Sequence, residues 1–324
     1  MTKESALAHK KFQVDDIPDQ TGRTILITGA NNGLGLKSAT ALAGAGAQVL
    51  LACRNQTTGK SALEQIRGAG PAADHRLIPL DLADLASIRS AAAEVTAAVP
   101  HIDVLINNAG VMAIPFAHTS DGFEMQIGTN HLGHFAFTDG VLGALLKAPA
   151  PRVVTLASIA HRQGTIRLDD LFFENRRYTR MGAYSQSKLA NLLFSAELAR
   201  RSAAAGLPLL AVAAHPGVAA TNLFDSMVPR VPGALPAMHL GLRVVGTDEK
   251  SGALSQLYAA TMPDVRNDDY LGPNDFNGMK GPVRRSPRTR RARDEDKAAG
   301  LWEKSVELTG ATYGELGRGN VVAP

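Results

Sequence analysis

Tyr184 and Lys188 stand four residues apart within Ala183–Ala205, a stretch whose pattern predicts a long helix, so the two side chains share one face. A free phenol titrates at about 10, and a neighbouring ammonium stabilises the phenolate and lowers that value. Such a phenol is suited to exchanging a proton with a substrate oxygen near neutral pH. The same pair also occurs as an ordinary couple on a helix surface, so its meaning depends on the rest of the chain.

A second chemical element lies near the start. Thr28-Gly29-Ala30-Asn31-Asn32-Gly33-Leu34-Gly35 joins a short apolar run, Arg23–Thr28, to a predicted helix, Leu34–Ala43. Gly29, Gly33 and Gly35 allow the backbone to turn tightly and to approach a pyrophosphate, whose charge would meet free N–H groups at the helix start. Asn31 and Leu34 belong to the same loop. Turns use glycine in any case, but a position between first strand and first helix makes this a dinucleotide loop. Where an acidic residue would hold a ribose 2′-hydroxyl, at the end of the second strand, the chain has Cys53-Arg54, nineteen residues past Gly35. A guanidinium can bond two phosphate oxygens at once, so the expected cofactor is NADP(H).

These residues need a scaffold, and strands alternate with helices from about residue 23 onward. Strands are expected at Arg23–Thr28, Gln48–Ala52, Arg76–Leu80, Val104–Asn107, Arg152–Leu156 and Pro208–Ala213. Helices are expected at Leu34–Ala43, Thr57–Ile66, Ser87–Val99, within Asp121–Leu146, at Ala183–Ala205 and near Asp294–Thr309. That alternation predicts an α/β fold: one doubly wound domain with a parallel sheet and helices on both faces. The domain is expected over residues 22–315, between an N-terminal extension (1–21) and a C-terminal tail (316–324). Two stretches break the pattern and are expected to be loops: an apolar, Pro-rich run at 222–246, and a run rich in Pro, Gly and Asn at 263–293.

Composition narrows the remaining classes. The 324 residues are 45% hydrophobic and 20% charged, which excludes a disordered chain, a coiled coil and a collagen-like repeat. The net charge of +4 is local. Arg284, Arg285, Arg288, Arg290, Arg291 and Arg293 fall in one short stretch, and removing them takes the charge to −2. A solvated loop leading into the last helix is therefore expected there, and no nucleic-acid partner. The longest apolar runs, such as Leu207–Ala214, are too short for a transmembrane segment. The first twenty residues contain no apolar signal. The single cysteine, Cys53, excludes an internal disulfide and points to the cytoplasm. His131, His134 and His161 have no carboxylate or cysteine at ligand spacing, so no metal is expected. His215, before Pro216, is expected to shape a turn.

In this order the motifs resemble the classical short-chain dehydrogenases/reductases: Thr28–Gly35, Asp81-Leu82, Asn107-Asn108-Ala109-Gly110, Asn130, Ser158, Tyr184-x-x-x-Lys188 and Pro216-Gly217. The wording is most similar to the retinol dehydrogenase-like branch at Leu51–Asn55, Asn130–Phe135, Tyr184–Asn191 and His215–Val218. The resemblance implies that Tyr184 is the proton donor and that Lys188 also binds the nicotinamide ribose. Ser158 would hydrogen-bond the substrate oxygen, and the Asn130 amide would hold a water linking Lys188 to solvent. It further implies that Asp81 and Leu82 contact adenine, that Asn108, Ala109 and Gly110 line the adenine-ribose side, and that Pro216, Gly217, Val218 and Thr221 flank the nicotinamide. The reaction implied is hydride transfer between NADP(H) and an alcohol or carbonyl compound.

The chain departs from the family in two respects. Ser158 and Tyr184 are 26 residues apart, about twice the usual interval, as in the retinol-like branch. Residues 1–21 are not expected to supply the hydrophobic N-terminal anchor of the membrane-bound retinol enzymes. The apolar 222–246 run is expected to act as a lid over a small hydrophobic carbonyl or alcohol substrate. Many family members pair through two long helices, which leaves a homo-oligomer open. The alternatives are a non-catalytic NADP(H)-sensing binding protein, which would typically lack Tyr or Lys of the pair, and a protochlorophyllide reductase sharing the Ala52-Cys53-Arg54 wording.

Overall fold

Thr24–Thr28, five successive buried residues, form β1 in the interior of an eight-stranded sheet in the computed structural model, which describes residues 11–218 and 249–316. Both faces of β1 are covered because alternate side chains enter different cores. Leu26 packs with one layer of helices, and Ile25 and Ile27 with the other. The chain continues through α1 (Gly33–Gly44), β2 (Gln48–Cys53), α2 (Gln56–Ala69), β3 (Arg76–Pro79), α3 (Leu85–Ala98) and β4 (Val104–Asn107). A short helical turn and a π-helical turn, Gly128–Leu132, lead into α4 (Gly133–Leu145). There follow β5 (Arg152–Leu156), α5 (Arg180–Ala204), β6 (Leu210–Ala214), α6 (Glu249–Thr261), β7 (Tyr270–Asp275), β8 (Lys280–Arg285) and α7 (Glu295–Thr309).

The strand order is β3-β2-β1-β4-β5-β6-β7-β8. The chain winds outward from β1 to β3, then returns to β4 on the other side of β1. The doubly wound α/β fold expected from the sequence is present, and the crevice at the carboxyl ends of β1 and β4 is where such folds bind ligands. The helices α3, α4 and α5 supply Ile88, Val95, Phe135, Val141 and Phe194 to one face. The helices α1, α2 and α6 supply Leu42, Ile66, Leu254 and Leu257 to the other.

Three expectations need correction. Residues 263–293 are not simply a loop: β7 pairs parallel with β6, and β8 pairs antiparallel with β7, so an antiparallel edge completes the sheet. The glycines and prolines that disguised these strands have structural uses. The His215 ring occupies the space that a Cβ at Gly272 would fill, and Pro282 lies on an edge strand, where a missing N–H is tolerated. The arginine stretch is a solvated loop only in part: Arg284 and Arg285 end β8, and three of the arginines are tied to the fold. Arg285 pairs with Asp269 (2.7 Å), Arg288 pairs with Asp268 (2.6 Å), and Arg291 donates to the Gly164 carbonyl (3.0 Å). The helix expected within Asp121–Leu146 is interrupted by the π turn, closed where the Gly133 N–H reaches the Gly128 carbonyl.

Within the expected N-terminal extension, Phe12 is buried and meets Tyr258 edge-on, with ring centroids 5.1 Å apart. The lid expected at 222–246 and the cofactor contact expected of Thr221 lie outside the described residues. Among the described residues, no helix is long and apolar enough to cross a membrane.

Candidate functional site

The carboxyl ends of β1 to β6 open onto one cleft of about 490 Å³. Gly29, Asn31, Gly33, Leu34 and Gly35 line it from the β1–α1 turn, and Arg54 and Asp81 from the ends of β2 and β3. Leu82, Asn108, Ala109, Gly110, Ser158, Tyr184, Lys188, Pro216 and Gly217 complete the sequence-derived set. Asn130 stands behind the wall. Val218 is held at the β7–β8 hairpin, where its N–H meets the Met279 carbonyl at 2.9 Å.

The glycine loop is held tightly against β4. Gly29 (φ +65°) and Gly33 (φ +51°) adopt left-handed conformations. A Cβ at Gly35 would collide with the Gly29 carbonyl and come within 2.6 Å of Asn108 Nδ2. The Asn32 side chain does not cap α1, whereas Asn55, Asp84 and Thr179 cap the helices that follow them. The first N–H groups of α1 therefore face the cleft without a side-chain partner, as an anion site requires. Asn108 lines the cleft, but its amide serves the scaffold by donating to the Thr28 carbonyl at 2.8 Å. Asn31 donates to Thr58 Oγ1 (2.8 Å). Arg54 is largely exposed and lies 3.7 Å from Asp81, so its guanidinium is only loosely committed.

At the other end of the cleft, α5 crosses the carboxyl edge of β5. Thr179 caps it by accepting from the Gly182 N–H, and one turn later Tyr184 and Lys188 are buried on its inner face. Lys188 Nζ donates to the Leu156 carbonyl at 3.0 Å and lies 5.8 Å from the Tyr184 ring centre. Ser158 begins a 3₁₀ turn, its Oγ accepting from the Ala160 N–H at 3.2 Å. A Cβ at Gly110 would stand 3.0 Å from Asn130 Oδ1 and 3.6 Å from Lys188 Nζ, so the NNAG turn brings bare backbone against the lysine.

The electrostatics differ from expectation. Burial pushes the Tyr184 phenol up to about 12, with a hydrogen bond to Ser158 acting in the opposite sense. Burial also pushes the Lys188 ammonium down to about 8. Desolvation outweighs the proximity of the ammonium, so the phenol is protonated at neutral pH. Asn130 has its own set of backbone and side-chain partners. Its Oδ1 accepts from the Val111 N–H (2.8 Å), and its Nδ2 donates to the Val111 carbonyl and to Ser187 Oγ (both 2.9 Å). The amide therefore clamps the turn after β4 to α5.

Several residues escaped the sequence reading. Gln126 Oε1 accepts from the Ala113 N–H (2.8 Å), and its Nε2 donates to the Tyr178 hydroxyl (2.8 Å) and the Arg180 carbonyl (2.9 Å). This holds Ala113 in a left-handed conformation (φ +52°) while Met112 and Ala113 pack against Tyr184. The long Ser158–Tyr184 interval is thus tied to the wall that carries Tyr184, and Ile166 and Leu171 anchor it in the core. Only the unusual length of that interval hinted at these contacts. His161 Nδ1 meets the Ser158 carbonyl (2.7 Å), and the Gly217 N–H donates to His215 Nδ1 (3.3 Å) across the turn.

A family model described as short chain dehydrogenase matches residues 23–231. The chain belongs to the short-chain dehydrogenase/reductase family. This family of oxidoreductases binds a nicotinamide cofactor. Within it, the chain is 40% identical to retinol dehydrogenase 14 of Mus musculus over 301 residues, covering 89% of this chain and 86% of that one. It is 38% identical to retinol dehydrogenase 13 of Homo sapiens over 303 residues, covering 89% and 85%. A crystal structure of an uncharacterised protein from Mycobacterium paratuberculosis is similar at 43% identity with a TM-score of 0.78, covering 94% of this chain and 99% of that one. The retinol dehydrogenase-like resemblance of the sequence is borne out.

Proposed function

We propose that this short-chain dehydrogenase interconverts a hydrophobic alcohol and its carbonyl compound with NADP(H). The observation that carries the reading is the sharing of one cleft: Ser158, Tyr184 and Lys188 stand at one end, and the glycine loop with Arg54 at the other. The loop fits a dinucleotide because side chains are excluded at Gly29 and Gly35 and the α1 N–H groups are uncapped.

In this reading Gly29, Asn31, Gly33, Leu34 and Gly35 receive the pyrophosphate. Arg54, exposed and loosely paired, takes the 2′-phosphate, while Asp81, Leu82, Asn108, Ala109 and Gly110 border adenine and its ribose. Pro216, Gly217, Val218 and Thr221 flank the nicotinamide. When bound, the cofactor supplies or accepts the hydride. Tyr184 Oη gives its proton to the carbonyl oxygen, and a phenol raised by burial is fully protonated for that task. Ser158 Oγ donates to the same oxygen and stabilises its developing charge. Lys188 holds the ribose and places positive charge beside the tyrosine, and Asn130 fixes the distance between the Gly110–Val111 turn and α5.

The names of the relatives favour an apolar substrate, as do the residues of the 222–246 run, among them Leu223, Phe224, Met227 and Leu235. We place the protein in the cytoplasm. Monitoring NADPH oxidation over a panel of aldehydes and ketones tests the reading. Reduction of apolar carbonyl compounds is expected, and cofactor binding without consumption by any of them would overturn it.

A further inference from the structure

His134 is wholly buried on α4, one turn beyond Asn130, and reaches no part of the cleft. Its two ring nitrogens have different partners. Nδ1 lies 2.9 Å from the Asn130 carbonyl oxygen, and Nε2 lies 2.9 Å from Thr28 Oγ1. A carbonyl can only accept, so Nδ1 carries the proton. Burial holds the imidazole neutral, its pKa pushed down to about 4, so Nε2 is bare and accepts.

The count at Thr28 agrees. Its Oγ1 accepts from two backbone N–H groups, those of Asn108 and Ala109, both at 3.0 Å. Both lone pairs are then used, and the hydroxyl proton goes to His134 Nε2 at 2.9 Å, the Ile106 carbonyl at 3.5 Å being the longer and weaker acceptor. The short contacts run in one direction, from the Asn108–Ala109 turn through Thr28 and His134 to Asn130. Beyond Asn130 the line continues: its amide donates to Ser187 Oγ, and Ser187 donates to the Tyr184 carbonyl (2.8 Å).

We infer that His134 is a positioning residue that couples the cofactor loop to the catalytic helix, by bridging Thr28 of the glycine loop to Asn130 with one fixed tautomer. The inference deepens the proposed function and rests on it for the roles of Gly29–Gly35 and Tyr184. Both ends depend on the bridge. Thr28 sets the Asn108–Ala109 turn against Gly29, and Asn130 sets Val111 and α5. Losing the imidazole leaves a buried carbonyl and a buried hydroxyl each short of a partner, a cost that moves both.

Two substitutions separate bridging from packing. His134→Leu keeps apolar bulk and removes both contacts, whereas His134→Gln retains one donor and one acceptor. The expected result for His134→Leu is a rise in NADPH Kd of about tenfold together with a fall in kcat of similar size. His134→Gln is expected to stay within about threefold of the unsubstituted protein in both. Amide exchange at Asn108 and Ala109 should quicken in His134→Leu and not in His134→Gln. In a double-mutant cycle on NADPH Kd, Thr28→Val combined with His134→Leu should lose little more than the worse single variant.

Equal losses in the leucine and glutamine variants, multiplicative losses in the cycle, or an unchanged Kd in His134→Leu would each overturn the inference. If His134→Leu does not fold, Thr28→Val against Thr28→Ser decides by the same exchange and affinity measurements: loss with valine and retention with serine supports the bridge, and equal behaviour overturns it. Binding and exchange need no turnover. Failure of the unsubstituted protein to reduce any carbonyl compound would therefore refute the proposed function without obscuring the outcome for His134.

Discussion

Lys188 Nζ and Asn191 Nδ2 donate to the same atom, the Leu156 carbonyl oxygen, at 3.0 and 2.9 Å. The two residues are adjacent on one face of α5, three positions apart. Together they occupy both lone pairs of the last residue of β5, two positions before Ser158. The helix that carries Tyr184 is thereby registered on the strand that presents Ser158. The relation between the two hydroxyls is set by backbone anchoring and does not depend on a flexible loop.

Tyr184→Phe should remove nearly all turnover and leave NADPH affinity within a few-fold. The ring packs with Met112 and Ala113 in either case, and in the proposed mechanism the hydroxyl is the proton source. General acid–base groups contribute about 10²–10⁴-fold. Steady-state kinetics with fluorescence titration of NADPH checks this, and near-wild-type kcat would reassign the acid.

Lys188→Met should inactivate the enzyme and yet stabilise the cofactor-free protein at neutral pH. The ammonium pKa is lowered by burial from its ordinary value to about 8, so the unfolded chain binds its proton more tightly than the folded one. The penalty is fully present below pH 8 and fades as pH rises toward about 10.5, the unfolded value. The Tm of the variant should exceed that of the parent at pH 7, with the gap narrowing between pH 8 and 10. A Tm gap that is absent or widens with pH over that range would refute the burial argument.

The fold was legible where apolar residues recur without interruption, as in Thr24–Thr28, because a strand buried on both faces needs no partner information. It was illegible at β7 and β8, whose Gly272, Pro273, Gly281 and Pro282 look like loop residues until His215 and the sheet edge are in place. That Tyr184, Lys188, Ser158 and the glycines line one cleft was legible because their types and spacing form recognisable motifs. Gln126, Tyr178 and Asn191 act through backbone partners far away in sequence, and no local spacing reveals such contacts. The direction of the tyrosine shift was missed for the same reason: spacing shows the neighbouring lysine, whereas desolvation depends on the whole surrounding fold.

Arg54→Ala should weaken NADPH binding and leave NADH binding nearly unchanged. A charge-assisted bidentate contact contributes about 1.5–3 kcal/mol, or roughly 10- to 150-fold. The Arg54 side chain is 73% exposed, so water screens the contact and the loss should sit near tenfold. The loose pair with Asp81 also holds the guanidinium at the cleft edge, so Asp81→Asn should alter the cofactor preference less than Arg54→Ala does. Equal kcat/KM for NADPH and NADH in the unsubstituted protein would remove the basis of the NADP(H) assignment.

A homologous series of straight-chain aldehydes tests the substrate class. Near Tyr184 the described wall is apolar: Met112 and Met125 line the cleft, and methionine adapts to variable ligand shapes. In the sequence, the segment after Val218 contains Leu223, Phe224, Met227 and Val228, and residues 218–229 include no Lys or Arg. Each methylene taken out of water contributes up to about 0.8 kcal/mol, so kcat/KM should rise by as much as roughly fourfold per carbon until the pocket fills. The gain should appear mainly in KM if the chain is held equally in ground and transition states, and also in kcat if its binding helps to orient the carbonyl against Tyr184 and Ser158. From three to ten carbons the plot should climb and then level off. A flat or falling plot would exclude an apolar pocket and with it the hydrophobic-substrate reading.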